Sequence, residues 1–188
     1  MPDNDFGYTA WGKNWVRLAE PLSMSKPEPM LPRARSIART GGVQLEIEGV
    51  TVRAAIHRGA SASVTYLEFA PLSRAAIDTI GALVPGDAIG LGDELHAAIV
   101  DAGVSLAPRL VSADCSCPAR NQRCLHMLVT CYALARKVDE TPWLALDLQG
   151  YRSIDRAASA GEAEAGSPET RWTPLDTLDP ASFFGLAR

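Results

Sequence analysis

The stretch CSCPARNQRCLH, residues 115–126, places three thiols and an imidazole within a dozen positions. Its reading decides how the second half of the chain is organised. Cys115 and Cys117 are two apart, and on an extended strand such residues point to the same face. Straight-strand geometry leaves their side chains roughly 6–7 Å apart. Two sulfurs on a tetrahedral zinc ion are roughly 3.8 Å apart, given Zn–S bonds near 2.3 Å. A turn through Ser116, Cys117 and Pro118 closes that gap. Cys124 and His126 are also two apart, and in the middle of a helix they would point to nearly opposite sides. They can share an ion only if Cys124 lies just before a helix and His126 in its first turn. Between the pairs, PARNQR (118–123) is polar and turn-prone, long enough to reverse the chain. The expectation is a β-hairpin followed by a helix, a ββα knuckle holding one structural Zn²⁺ through Cys115, Cys117, Cys124 and His126.

The charges agree with that reading. Three thiolates and one Zn²⁺ leave a net negative site. Arg120 and Arg123 lie in the loop to offset it, as does the positive end of the helix that starts near His126. Four protein ligands leave no open position for a water, which argues against metal catalysis. Other readings of the same residues are a Cys115–Cys117 disulfide, a Cys–His nucleophile pair and a redox switch in which oxidation ejects the metal. The disulfide would be strained and out of compartment for a reduced cytoplasmic chain. The nucleophile pair shows neither an orienting residue nor an oxyanion hole. The fourth cysteine, Cys131, falls on the apolar face of the expected helix and reads as a small buried hydrophobe. His57 and His96 each stand alone and read as surface or internally satisfied histidines.

Downstream, His126 to Val138 is expected to be helical, with Met127, Cys131, Leu134 and Val138 on one face. TPWLALDL (141–148) reads as a short helix with Pro142 in its first turn. Upstream, residues 104–117 read as extended. Ser73 is a plausible N-cap for a helix through Val84, and Asp93 for a second helix ending at Gly103. VQLEIEGVTVRAAI (43–56) alternates apolar and polar residues on either side of Glu48-Gly49, and SVTYLEF (63–69) follows. These predict a three-stranded antiparallel meander with one wet face. TAWGKNWVRLAE (9–20) reads as a helix with Trp11, Trp15 and Leu18 on one face, stopped by Pro21. The prolines of 21–32 exclude a regular element there, and Arg33, Arg35 and Arg39 follow. GDAIGLGD (86–93) reads as a loop.

The fold class is therefore α+β: a small antiparallel sheet with flanking helices and a zinc knuckle. Five segments are expected: an N-terminal helix with a Pro/Arg-rich stretch (1–42), an α+β domain (43–109), the zinc finger with its following helices (110–152), a disordered linker rich in Ala, Gly, Glu and Ser (153–170), and an aromatic tail (171–188). Trp172, Phe183 and Phe184 in that tail are candidates for docking, either on the parent domain or on a partner.

Apolar residues at 47% and charged residues at 21% fit a soluble globular chain. No apolar run approaches the roughly 20 residues of a membrane helix. A cytoplasmic location is the default, without a membrane partner or a small-molecule substrate. The net charge of −4 lowers the expectation of a nucleic-acid ligand. It is unevenly spread, however: residues 11–58 and 115–152 carry an excess of Lys and Arg, and 59–114 an excess of acid. A local basic face built from Arg33, Arg35, Arg39, Arg120 and Arg123 would suffice for DNA.

The motif CxC…CxH before a helix resembles the SWIM zinc finger, with Cys115, Cys117, Cys124 and His126 at the matching positions. FGYTAWGKNWV, LPRARSIARTGGV and DCSCPARNQRCLHMLVTCYALARKVDETPWLALDLQG also resemble bacterial, especially actinobacterial, SWIM-finger proteins, as does the tail PLDTLDPASFFG. The family often carries an aromatic and a Lys inside the knuckle, where this chain has Arg120, Asn121, Gln122 and Leu125. The resemblance implies a non-enzymatic module that binds DNA or proteins, often alongside a Swi/Snf-type helicase-like ATPase. The expectations are an accessory adaptor in DNA transactions or, alternatively, a direct DNA-binding protein.

Overall fold

The computed structural model describes residues 6–23, 26, 28–59, 61–86, 88–119 and 123–152, the side chain of Arg58 excepted. The expected linker 153–170 and the tail with Trp172, Phe183 and Phe184 lie outside the described residues. All described residues fall within one compact unit, Met1–Ile154.

The fold is α+β. Helices α1 (Ala10–Ala19) and α2 (Leu31–Arg39) precede strands β1 (Val43–Glu48), β2 (Thr51–Arg58) and β3 (Ser61–Phe69). Helices α3 (Arg74–Leu83) and α4 (Asp93–Asp101) follow, then β4 (Leu110–Cys115), α5 (Leu125–Glu140) and α6 (Trp143–Asp147). The sheet is antiparallel throughout, in the order β1-β2-β3-β4. The three-stranded meander thus gains a fourth strand from the segment read as extended. Gly49 opens the two-residue β1–β2 turn with φ +55°, a backbone state that favours glycine at the first position of such a turn.

Strand alternation sorts the sheet into two faces. On the inner face Val52, Ala54, Ile56, Leu67 and Phe69 are almost fully buried. On the outer face Gln44, Glu46, Glu48, Arg53, Tyr66 and Asp114 are exposed. That outer face carries mainly carboxylates, and Arg53 is paired with Glu46 at 2.6 Å. Helix α5 lies on the inner face. It touches all four strands, and α1, α2 and α6 pack against it. Its residues Leu128, Val129, Tyr132, Leu134, Ala135 and Val138 are at most 1% exposed. A helix this apolar on several sides is expected where it is covered by both a sheet and other helices.

Helix α1 buries Trp11 and Trp15 as its spacing predicts. Helix α2 begins at Leu31, inside the stretch 21–32 that the prolines were expected to keep free of a regular element. Pro32 is tolerated because it occupies the first turn, where its missing N–H has no helical acceptor. Leu31, Ala34 and Ala38 then recur on one buried face. Ser73 caps α3 by accepting the Ala76 N–H at 3.2 Å. Asp93 differs from expectation. Gly92 is the N-cap of α4, and the Asp93 carboxylate accepts the Ala10 N–H of α1 at 2.9 Å. The first helical N–H groups have no partner within their own helix, so a carboxylate from a neighbour can satisfy one.

Candidate metal centre

Strand β4 delivers Cys115 at its last position, opposite Thr65 of β3. The ladder continues one residue further: the Ser116 N–H donates to Val64 O at 2.9 Å, and Ser116 Oγ accepts the Val64 N–H at 2.9 Å. Both backbone and side chain of Ser116 therefore hold the chain to β3 between the two cysteines. Cys124 is the N-cap of α5, with extended dihedrals of −64° and 162° and no side-chain capping bond. Its sulfur makes no bond to the helix N–H groups, while its carbonyl accepts the Leu128 N–H at 3.1 Å. His126 sits in the first turn.

A buried hydroxyl relay fixes this turn against the sheet. Thr130 Oγ1 donates to His126 O at 3.0 Å, and Thr65 Oγ1 lies 2.7 Å from Thr130 Oγ1. Since Thr130 uses its proton on His126, Thr65 is the donor between the two hydroxyls. Both threonines are fully buried. Thr65 faces Cys115 across the ladder and Thr130 touches the His126 carbonyl, so one relay spans both halves of the site.

The result is a single cluster. One ligating atom from each of Cys115, Cys117, Cys124 and His126 lies within 4.8 Å of every other. Cys115 Sγ is 3.9 Å from His126 Nδ1, close to the roughly 3.8 Å edge of a tetrahedral thiolate site. Cys124 is buried and the other three ligands are half-buried. All four cysteines are free thiols. Burial pushes the Cys115 thiol up to about 12, with the neighbouring thiols opposing its ionisation as well. At Cys117 burial acts in the same upward direction, but hydrogen bonds from the Ala119 N–H and from Cys115 and Cys124 outweigh it and lower the pKa. Three thiols this close accommodate one thiolate readily and resist more. A dication at their centre removes that resistance, as metal coordination does to thiols generally. The donor set therefore fits a soft divalent metal such as zinc.

Cys131 stands apart. It is 2% exposed, and burial pushes its thiol up to about 12. Of the two solitary histidines, His57 is exposed on β2. His96 lies 2.9 Å from Asn14 Nδ2 through Nε2 and packs edge-on to Trp11, and burial lowers its pKa.

The candidate arginines do not form one open face. Arg33 and Arg39 are exposed on α2. Arg35 pairs with Glu20 at 2.5 Å and donates to the Tyr132 hydroxyl at 3.1 Å. Arg123 donates to Ala19 O at 2.7 Å. Arg35 and Arg123 thus converge on the C-terminal end of α1, where cations complement the helix dipole. Arg120 lies outside the described residues. The relay of Thr65, Thr130 and Ser116 escapes a reading of the sequence, because isolated Thr and Ser residues carry no spacing that marks them. A search of family models, curated proteins and solved structures finds no match to this chain, so the site rests on its own geometry.

Proposed function

We propose that the chain binds one structural Zn²⁺ through Cys115, Cys117, Cys124 and His126 and acts as a non-enzymatic accessory adaptor. In this reading the centre is a SWIM-type finger, and the partner is a protein engaged in DNA transactions, of the Swi/Snf helicase-like class. The observation that carries the metal assignment is the convergence of the four ligating atoms within 4.8 Å. The adaptor reading draws support from the acidic balance of the chain and from Arg35 and Arg123 being engaged within the fold. The cytoplasm, where thiols stay reduced, suits such a site.

The exposed pair Arg33 and Arg39 on α2 favours a second reading, direct binding of DNA. Metal analysis of the purified protein and a DNA-binding titration across salt separate the claims. One zinc per chain, lost in Cys124→Ser and retained in Cys131→Ser, is the expected metal result. Absence of metal from the wild type would sink the assignment. Weak, salt-insensitive association with duplex and single-stranded DNA is expected for an adaptor. Tight binding that falls steeply with salt would mean several phosphate contacts and would replace the adaptor with the DNA-binding reading.

A further inference from the structure

Among the described residues, strand β4 is an edge of the sheet, hydrogen-bonded on one side to β3. Antiparallel pairing fixes which of its backbone groups face outward. Ser116 bonds to Val64, so Asp114 and Ser112, which share its phase, bond to β3 as well. Ala113, opposite Leu67, lies between them and turns its N–H and C=O to the free edge. Val111 is the extra residue of a bulge between the Glu68–Ser112 and Phe69–Leu110 pairs, and its side chain is 59% exposed.

That edge does not face open solvent. A cleft of about 280 Å³ runs along it, lined by four successive residues of β4, 110–113. Alternate residues of a strand point to opposite faces, so a cleft touching all four is reached from the strand's edge. Its far wall is apolar, formed by Leu18 of α1 and by Met127 and Leu128 of α5, with Arg123 beside them. Arg109, directly before β4, is exposed at the other end. The opposite edge of the sheet is different. The cleft beside β1 is rimmed by Arg136, Lys137 and Glu140, joined in ion pairs. Charged side chains at an edge are a common guard against strand addition. At β4 the wall is apolar.

We propose that the cleft beside β4 takes an extended segment of a partner protein as a fifth strand, an assignment that rests on the adaptor reading. The segment exchanges backbone hydrogen bonds with Ala113, and this pairing demands an extended chain. In the inner-face row Ile47, Val52, Leu67, Ala113, its next member would be an aliphatic side chain seated against Leu18, Met127 and Leu128. The exposed Arg109 at the start of β4 favours an acidic residue at that end of the segment. A second copy of this chain fits less well, because antiparallel β4–β4 pairing would bring Arg109 of one copy toward the Arg123 end of the other.

The probe is a random peptide library displayed on phage, selected against the full-length, zinc-loaded protein, with affinities then measured on synthetic peptides. The expected products carry an aliphatic residue with an acidic residue toward one end and slow hydrogen exchange at the Ala113 N–H. Ala113→Pro removes that outward donor, at an edge position where proline is tolerated, and is expected to weaken binding roughly tenfold or more. Val111→Glu, at the exposed rim, is expected to weaken it, whereas Val111→Lys is expected to preserve or strengthen it. This exposed pair keeps the proposal testable even if the proline variant fails to fold. Failure to select any peptide overturns the proposal. Peptides that bind Ala113→Pro and Val111→Glu as tightly as wild type overturn the cleft while leaving the adaptor reading in place. A concentration-dependent dimer abolished by Val111→Glu assigns the edge to a second copy and likewise overturns it. Steeply salt-dependent DNA binding overturns the adaptor reading itself.

Discussion

The two ends of α5 are built for different tasks. At its N-terminal end, Cys124 and His126 join Cys115 of β4 and Cys117 of the bend after it in a cluster suited to a divalent cation. At its C-terminal end, Asp139 is a 5% exposed carboxylate gripped by protein donors. It accepts the Gly7 N–H at 2.6 Å, the Thr9 N–H at 2.9 Å and the Thr9 hydroxyl at 2.7 Å. Thr9 Oγ1 in turn accepts the Gly12 N–H at 2.9 Å and caps α1. The clasp holds an anion at the positive end of a helix, with every bond supplied by the chain. The cluster at the other end gathers electron donors that a cation from outside can bridge. One end of the helix is finished by folding, and the other offers a site for a ligand.

The largest effect is expected at the metal end. Removing metal with a chelator, or substituting Cys124→Ser, should loosen residues 110–130. Apparent binding energies of structural zinc in small fingers are about 10 kcal/mol or more. The affinity and the stability change are read by metal competition, circular dichroism and thermal melting. A metal-free protein that melts like the wild type would break the comparison, because both ends would then be finished by folding alone.

At the clasp, Asp139→Ala strands three donors and is expected to cost about 3 kcal/mol. Denaturant titration measures the loss, and hydrogen exchange should speed up at residues 7–12. Metal content is expected to stay unchanged. Loss of metal in this variant would show the two ends to be coupled through α5.

A smaller effect is expected at Gly12. A Cβ there would stand 2.0 Å from Asp139 Oδ1, so Gly12→Ala must displace the carboxylate, at about 1–3 kcal/mol. Because both variants act on one contact, the double variant Gly12→Ala/Asp139→Ala should be less destabilised than the sum of the singles. Strict additivity in a double-mutant cycle would deny that Gly12 matters through Asp139.

The mildest test uses Cys131, between the two ends. Burial raises its thiol from 9.0 to about 12. The folded state therefore keeps a proton that the unfolded chain releases first. The resulting stability is intact below about pH 9 and is lost as pH rises toward about 12. In Cys131→Val, melting temperature should fall less steeply over that alkaline range. Equal slopes would place the titration elsewhere.

The metal end was legible because its chemistry is confined to a dozen residues. Spacing alone asks for Cys115 on extended chain, a turn through Cys117 and Cys124 just before a helix, and the structure has Cys115 at the end of β4, Cys117 in the bend after it and Cys124 as the N-cap of α5. The buried faces of α1 and of the three-stranded meander were legible for a similar reason: period and burial are local. The clasp was not legible. Asp139 and Gly7 are 132 residues apart, and an aspartate in the last turn of a helix reads as an ordinary surface charge. The same holds for Asp93, a plausible cap of its own helix that instead serves α1. The N-terminal and knuckle arginines suggested a shared basic face, yet Arg35 and Arg123 are turned toward the end of α1.

The sequence by itself therefore determined the α+β class, the helices other than α2, the three-stranded meander and the four clustered Cys and His residues, because each is written in residue type at short separation. The tertiary structure alone decided the pairing of β4 onto β3, the Thr65–Thr130 relay, the Asp139 clasp and the open cleft at the sheet edge. Those features join groups distant along the chain. Which distant groups meet depends on how apolar faces pack, and no local pattern of residues encodes that choice.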